Sequence, residues 1–326
     1  MPRVRNTETH GPAWLVQAAV IARQFYLEGR SKVEIGDDLG LSRFKVARIL
    51  DEARDLGLVK VTIRLPAPID PDLSSSLQAS LGLRRTIVLA QVARADQVYD
   101  DLGRVGADLL TELVTSDDVL GLSCSRSVTA TTQALRDLAG CDVVQLTGTL
   151  AGTGVDTGSV ESVRRAAVVS GGRAFPIYAP MVLPDSPTAR SLTGQEGIRH
   201  TLDRIGSVTI AMVAIGAWSE GMSTVWGSVS RHERVAATKA NAVGEVGGRL
   251  FDAQGEPVPG SVDDRVLGMT LEQLREIDEV VGLAYGSGRA TAVRAAVAGG
   301  LIETLVCDAD LARALLDETD QSQVSA

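Results

Sequence analysis

Aromatic side chains are scarce in this 326-residue chain. They make up 3% of it, as three Trp, four Tyr and four Phe, so a large core has to be built from Val, Leu, Ile and Ala. Cys124, Cys141 and Cys307 are odd in number and far apart. That excludes a disulfide framework and a cysteine-based zinc site, and it fits a reducing compartment. The histidines, His10, His200 and His232, show no H-x-x-x-H or H-E-x-x-H spacing, so no metal centre and no cofactor is expected. Long apolar runs are missing too. The longest uncharged candidate, Ile205–Ser219, is about fifteen residues against the roughly 18–20 a bilayer needs, and it holds Gly206 and Gly216. The opening MPRVRNTETH has no apolar segment behind its arginines. No secretory leader and no membrane contact are therefore expected, and the chain reads as cytoplasmic.

What is present is the composition of a globular protein, 44% hydrophobic and 22% charged, with length for two domains or one large and one small. The net charge of −9 is unevenly spread. Residues 1–65 carry 11 basic and 8 acidic side chains, or +3, which leaves −12 for the remainder. A basic end on an acidic body turns one face toward a polyanion.

The first 65 residues read as three helices. WLVQAAVIARQFYLE, residues 14–28, has helical apolar spacing and ends at Gly29. Ser31 and Glu34 form a capping box for the second helix, which Gly40 stops. Ser42 caps LSRFKVARILDEARDLG, and Gly57 ends it. Leu58–Leu65 alternates like a half-buried strand. Three helices with a tight Gly-containing turn, followed by a strand, predict a winged helix-turn-helix. The third helix is then the reading helix, with Ser42, Arg43, Lys45 and Arg48 at its N-terminal end, the residue types that bond guanine edges and phosphates. Phe44 is read as a core residue, the alternative being contact with a thymine methyl. A helical protein-interaction module is the alternative for the whole segment.

Pro66, Pro68 and Pro71 mark a semi-rigid spacer over residues 66–72. From residue 73 to 326, short β-like runs alternate with helical stretches. Strands are expected at Thr86–Val92, Val119–Ser123, Val143–Leu146, Ala174–Tyr178, Val208–Ile215, Val280–Ala284 and Thr304–Cys307. This rhythm predicts a Rossmann-like α/β domain with a largely parallel sheet. Ligands of such sheets sit beyond the carboxyl ends of the strands. The clearest loop there is VLGLSCSRSVTATTQAL, where Gly121, Ser123, Cys124, Ser125, Arg126 and Ser127 join a strand to a helix. Hydroxyls and backbone N–H groups at a helix start, beside a fixed cation, suit an anion. Neither a Walker nor a dinucleotide fingerprint is present. Cys124 has no acid–base partner in sequence and reads as a neutral filler rather than a nucleophile. In LAYGSGRATAVRAA, Arg289 opposes the dipole of the helix it opens, a conflict that a bound anion relieves, the alternative being ordinary surface placement. In AVGEVGGRLFDAQGEPV, Glu245 is a candidate acceptor for sugar hydroxyls, the alternative being a turn-rich connection with solvated charges.

These segments together resemble one family. FYLEGRSKVEIGDDLGLSRFKVARILDEARDLGLVKVTI resembles the DNA-binding domain of SorC-type sugar-responsive transcriptional regulators. The tail from AVGEVGGRLFDAQGEPV through VVGLAYGSGRATAVRAAVAGG, with VLGLSCSRSVTATTQAL and GGRAFPIYAP, resembles their effector domain. The resemblance spans nearly the whole chain. It implies an effector domain folded like sugar-phosphate isomerases and deaminases. It also implies a homodimer or homotetramer on double-stranded operator DNA, controlled as repressor or activator by a sugar, polyol or sugar phosphate. By position, the Ser123–Ser127 loop would hold the phosphate, Glu245 would face sugar hydroxyls, and Arg289 stands where the family usually has lysine. Tyr285, Gly286 and Ser287 replace a Gly-Gly-Lys-like turn, and SVESVRRAAVV lacks the family's Asn. Two other functions fit less well. A sugar-phosphate isomerase or deaminase would use Glu245 as base but leaves a DNA-reading module unexplained, so no catalytic residue is assigned. A DNA-binding protein whose second domain only oligomerises would need no ligand loop.

Overall fold

The computed structural model describes residues 10–61, 68–90, 97–150 and 158–324. The chain divides into two compact units, 1–66 and 67–326. In the first, α1 (Pro12–Tyr26) starts with Pro at its first turn, where a missing N–H costs nothing. It packs with α2 (Lys32–Leu39) and α3 (Arg43–Asp55) around Ala18, Ile21, Ile35, Val46, Ile49 and Leu50. The strand expected over Leu58–Leu65 does not form over 58–61, and 62–65 lie outside the described residues. The helix-turn-helix therefore stands without a wing among the described residues.

The second unit begins earlier than expected. Residues 66 and 67 lie outside the described residues, but the rest of the 66–72 segment is not a spacer. Ile69 bridges antiparallel to Leu89, Asp70 caps a helix, and Pro71 opens α4 (Pro71–Leu81). Proline's fixed φ both breaks an element and pre-forms the first turn of the next, so the same residues signal either outcome.

Among the described residues, the seven expected β-strands alternate with helices as the sequence predicts, with ends shifted by a few residues. β1 (Arg85–Leu89), α5 (Val98–Leu113), β2 (Val119–Leu122), α6 (Arg126–Ala134), β3 (Asp142–Gln145), α7 (Gly158–Ser170) and β4 (Ala174–Phe175) come first. Residues 91 and 92 of the expected first strand lie outside the described residues. Two helices that the sequence did not disclose, α8 (Ser186–Thr193) and α9 (Glu196–Ile205), lead to β5 (Ile210–Ala217). A third, α10 (Arg231–Lys239), precedes β6 (Gly244–Val246) and β7 (Arg249–Phe251). The chain closes with α11 (Leu271–Arg275), β8 (Glu279–Ala284), α12 (Ala290–Ala298), β9 (Thr304–Asp308) and α13 (Ala309–Val324).

Seven strands form one parallel sheet in the order β1-β9-β8-β5-β2-β3-β4. Both faces are covered, so its strands carry continuous apolar runs, with polar residues mostly at their ends, rather than alternating with polar residues. In β5, Ala211, Val213 and Ile215 enter one core while Ile210 and Met212 enter the other. The Gly-rich segment around Glu245 is not a loose connection. It is the β6–β7 hairpin, turned by Gly247 and Gly248 at φ 57° and 84°, and β6 extends the C-terminal end of β5 antiparallel. Two positive-φ glycines match the right-handed twist of the flanking strands.

Between β2 and β5 the winding reverses. β2 proceeds outward through β3 and β4, whereas β5 proceeds the other way to β8 and β9. In an open parallel sheet the crevice at the carboxyl ends beside such a reversal is where a ligand fits.

Candidate functional site

In the first unit the candidate surface is the start of α3. α2 ends at Gly40 in the left-handed conformation, φ 68°, and the Leu41 N–H donates to Gly36 O at 2.8 Å. Gly36 has no alternative: a Cβ there would lie 2.5 Å from Leu41 O. This tight turn delivers Ser42, whose Oγ accepts the Lys45 N–H at 3.2 Å. Ser42 is thus occupied as a cap. Arg43, Lys45 and Arg48 are exposed on the same helix, and Arg48 approaches Glu52 at 3.6 Å. Phe44 is not in the core: 71% of it is exposed. Its neighbour Val46 fills that place, because the buried stripe of α3 falls on Val46, Ile49, Leu50 and Ala53.

In the second unit a cavity of ≈ 310 Å³ lies at the carboxyl ends of β2, β5 and β8, beside the reversal. The loop after β2 supplies Cys124, Ser125, Arg126 and Ser127. Ser125 caps α6, its Oγ accepting the Val128 N–H at 3.1 Å and lying 3.2 Å from Ser127 Oγ. The start of α6 therefore points N–H groups and two hydroxyls at the cavity, with Arg126 at its rim. Gly158, where α7 begins, lines the same space. Gly121 and Ser123 do not reach it. A Cβ on Gly121 would strike Leu146 and Val208, and Ser123 is buried in the sheet. Burial pushes the Cys124 thiol up, so at neutral pH it is a weak nucleophile, as the neutral-filler reading requires.

Arg289 ends a short 3₁₀ turn, Ser287–Arg289, directly before α12, and it is 9% exposed. Its guanidinium donates to Tyr285 O at 2.6 Å and to Met222 O at 3.5 Å. It stacks on the Tyr285 ring at 4.3 Å, and Arg126 stacks on Tyr99 at 4.8 Å. The two tyrosine hydroxyls are hydrogen-bonded, and their rings meet edge to face at 5.0 Å. Burial, then the Tyr285 hydroxyl, pushes the Tyr99 phenol well above its usual range, so Tyr99 stays neutral. The result is a bridge from Arg126 through two tyrosines to Arg289. No carboxylate lines the cavity, and neither arginine has a carboxylate partner among the described residues. A near-buried guanidinium without a counter-charge is unfavourable unless an anion arrives.

Glu245 sits elsewhere than expected. It is 1% exposed and does not line the cavity. Its Oε1 accepts the Thr224 N–H at 2.7 Å and its Oε2 the Gly248 N–H at 2.9 Å. It ties the hairpin to the Met222–Thr224 loop, which does line the cavity, so it positions a wall instead of facing a ligand. Of its two partners, the Thr224 N–H belongs to a distant segment, which no residue pattern announces. Tyr99 was missed because nothing near it in the chain resembles a ligand loop. No group of His, Cys, Asp and Glu suited to a metal occurs among the described residues.

Known proteins resemble this chain over most of its length. The family model described as "Putative sugar-binding domain" matches residues 69–317. The chain belongs to this family. It is 29% identical over 304 residues to the transcriptional regulator LsrR of Escherichia coli, covering 92% of this chain and 94% of that one. It is 26% identical over 302 residues to the deoxyribonucleoside regulator of Bacillus subtilis, covering 91% and 96%. The full-length sorbitol operon regulator SorC of Klebsiella pneumoniae has the same fold, with TM-score 0.67 at 20% identity over 93% of this chain and 99% of that one.

Proposed function

We propose that this protein is a DNA-binding transcriptional regulator whose hold on operator DNA is set by a small anionic ligand, a phosphorylated sugar by preference, in the β2–β5–β8 cavity. One observation carries the reading. Two guanidiniums without carboxylate partners among the described residues and the start of α6 face one cavity, inside a part of the chain whose net charge is −12. An anion site in an acidic body serves a ligand rather than general charge balance. The regulators named among its relatives support the DNA half, as do the exposed Arg43, Lys45 and Arg48 on a capped third helix. A homodimer or homotetramer would match a palindromic operator. The isomerase or deaminase alternative loses its base, since both oxygens of Glu245 are engaged by backbone N–H groups.

The test is operator binding by the purified chain, using duplexes selected from a random pool, with and without a panel of sugar phosphates, free sugars and polyols. Arg126→Ala or Arg289→Ala should raise the half-effective ligand concentration by about 10- to 100-fold, the worth of a charged hydrogen bond of ~1.5–3 kcal/mol. Ligand-free DNA affinity should stay. The triple change of Arg43, Lys45 and Arg48 to Ala should abolish operator binding while the oligomer persists. A panel that alters neither melting temperature nor DNA binding would leave the cavity without a role and favour a purely oligomerising second domain.

A further inference from the structure

Phe44 is the second residue of α3, and 71% of its surface is open to water. It is absent from the core of its own unit, which Val46, Ile49 and Leu50 fill. Covering so exposed a ring would remove a large apolar surface from water, which is favourable. Arg43 and Lys45 flank it in sequence, and Arg48 is exposed one turn on. A hydrophobe ringed by three cations repels a second copy of the same surface and suits a polyanion. Arg43 adds a second observation. Arg30, Arg48 and Arg54 each have a carboxylate neighbour. Arg43 has none among the described residues and stacks its guanidinium over the Phe44 ring, 4.7 Å from its centre. The ring restrains the fork without neutralising it, so the edge donors of Arg43 remain free.

Duplex DNA offers a partner for each half of this pair. In the major groove the thymine 5-methyl is the apolar group on the base edges, and guanine O6 and N7 take a guanidinium fork. The N-terminal residues of a reading helix are those that reach base edges. We infer that Arg43 and Phe44 form one base-reading unit, in which the Phe44 ring packs on a thymine methyl and presents Arg43 to the guanine beside it. This rests on the DNA-binding function proposed above. Phe44 is then a specificity-determining residue, while Lys45 and Arg48 supply phosphate affinity.

The experiment uses the full chain and a duplex it selects from a random pool. Each thymine of the site is replaced singly by uracil, which removes only the methyl group. At one thymine per half-site, next to a guanine, wild-type affinity should fall about fourfold, the worth of one buried methyl-sized group. The Phe44→Ala protein should bind the unmodified site more weakly and lose this thymine-to-uracil difference; Phe44→Leu should keep part of it. Folding is not at risk, since the ring contributes nothing to the core. If Phe44→Ala retains the wild-type response to uracil, or no thymine matters, the pairing is wrong although DNA binding stands. If Phe44→Ala instead alters the oligomeric state, a second copy covers the ring and the inference fails. If the wild-type chain selects no duplex, both the inference and the DNA-binding function fall.

Discussion

Gly216 lies at the point where a single atom decides the cavity wall. A Cβ there would sit 2.6 Å from Glu245 Oε1 and 3.0 Å from Met222 O. Gly216→Ala should therefore push Glu245 off the Thr224 N–H, with a loss of about 1–3 kcal/mol in stability and a weaker ligand response. Thermal melts with and without a sugar phosphate measure both. Glu245→Gln keeps the volume and one acceptor, so its loss should be smaller. Roles that depend on near neighbours were readable at this scale. Ser31 and Ser42 cap helices as their sequence positions indicate, because a cap and its N–H are three residues apart. The role of Glu245 was not readable, because Thr224 is 21 residues away and arrives only through the hairpin.

At the scale of elements, Glu279 joins three strands at the amino end of the sheet. It opens β8, accepts the Thr304 hydroxyl of β9 at 2.6 Å, and pairs with Arg85 of β1 at 2.8 Å and with Arg84 at 2.6 Å. Burial raises its carboxyl, but the Thr304 hydroxyl and the two guanidiniums outweigh that, and the carboxyl ends below the usual glutamate range. The unfolded chain therefore takes up this proton first as pH falls. The stability it contributes is complete above the unfolded glutamate value and is lost as pH drops through the lower folded one. Glu279→Gln should cost about 1–3 kcal/mol near neutrality, with the exposed arginines contributing at the low end. It should also flatten the acid limb of a stability–pH curve, which denaturant melts between neutral and acid pH would show. The strands themselves were legible because burial on both faces leaves uninterrupted apolar runs. The hairpin had its signal in Gly247-Gly248 between two short apolar runs, which also reads as a turn-rich connection.

For the molecule as a whole, the β2–β5–β8 cavity and the start of α3 lie on separate compact units of one chain. If the ligand changes operator affinity by some factor, the operator must change ligand affinity by the same factor, since both report one coupling free energy. Calorimetric titration of the effective sugar phosphate, with and without saturating operator, should return a ratio equal to that from DNA titrations with and without ligand. Couplings of this kind are typically about 5- to 150-fold. A ratio of one in both directions would mean that the second unit does not regulate the first.

Local chemistry determined much of this from the chain alone: a three-helix head with its caps, an alternating α/β body, and a hydroxyl-rich loop ahead of a helix beside Arg126. Periodicity and capping act over a few residues, so they are written in the order of the amino acids. Folding decided the rest. It packed residues 68–72 against the body, withdrew Gly121, Ser123 and Glu245 from the cavity, brought Tyr99 to Tyr285 across 186 residues, and turned Phe44 outward. Each of these depends on which distant segments come to share a volume, and the parallel sheet sets that through crossovers that no short stretch of sequence encodes.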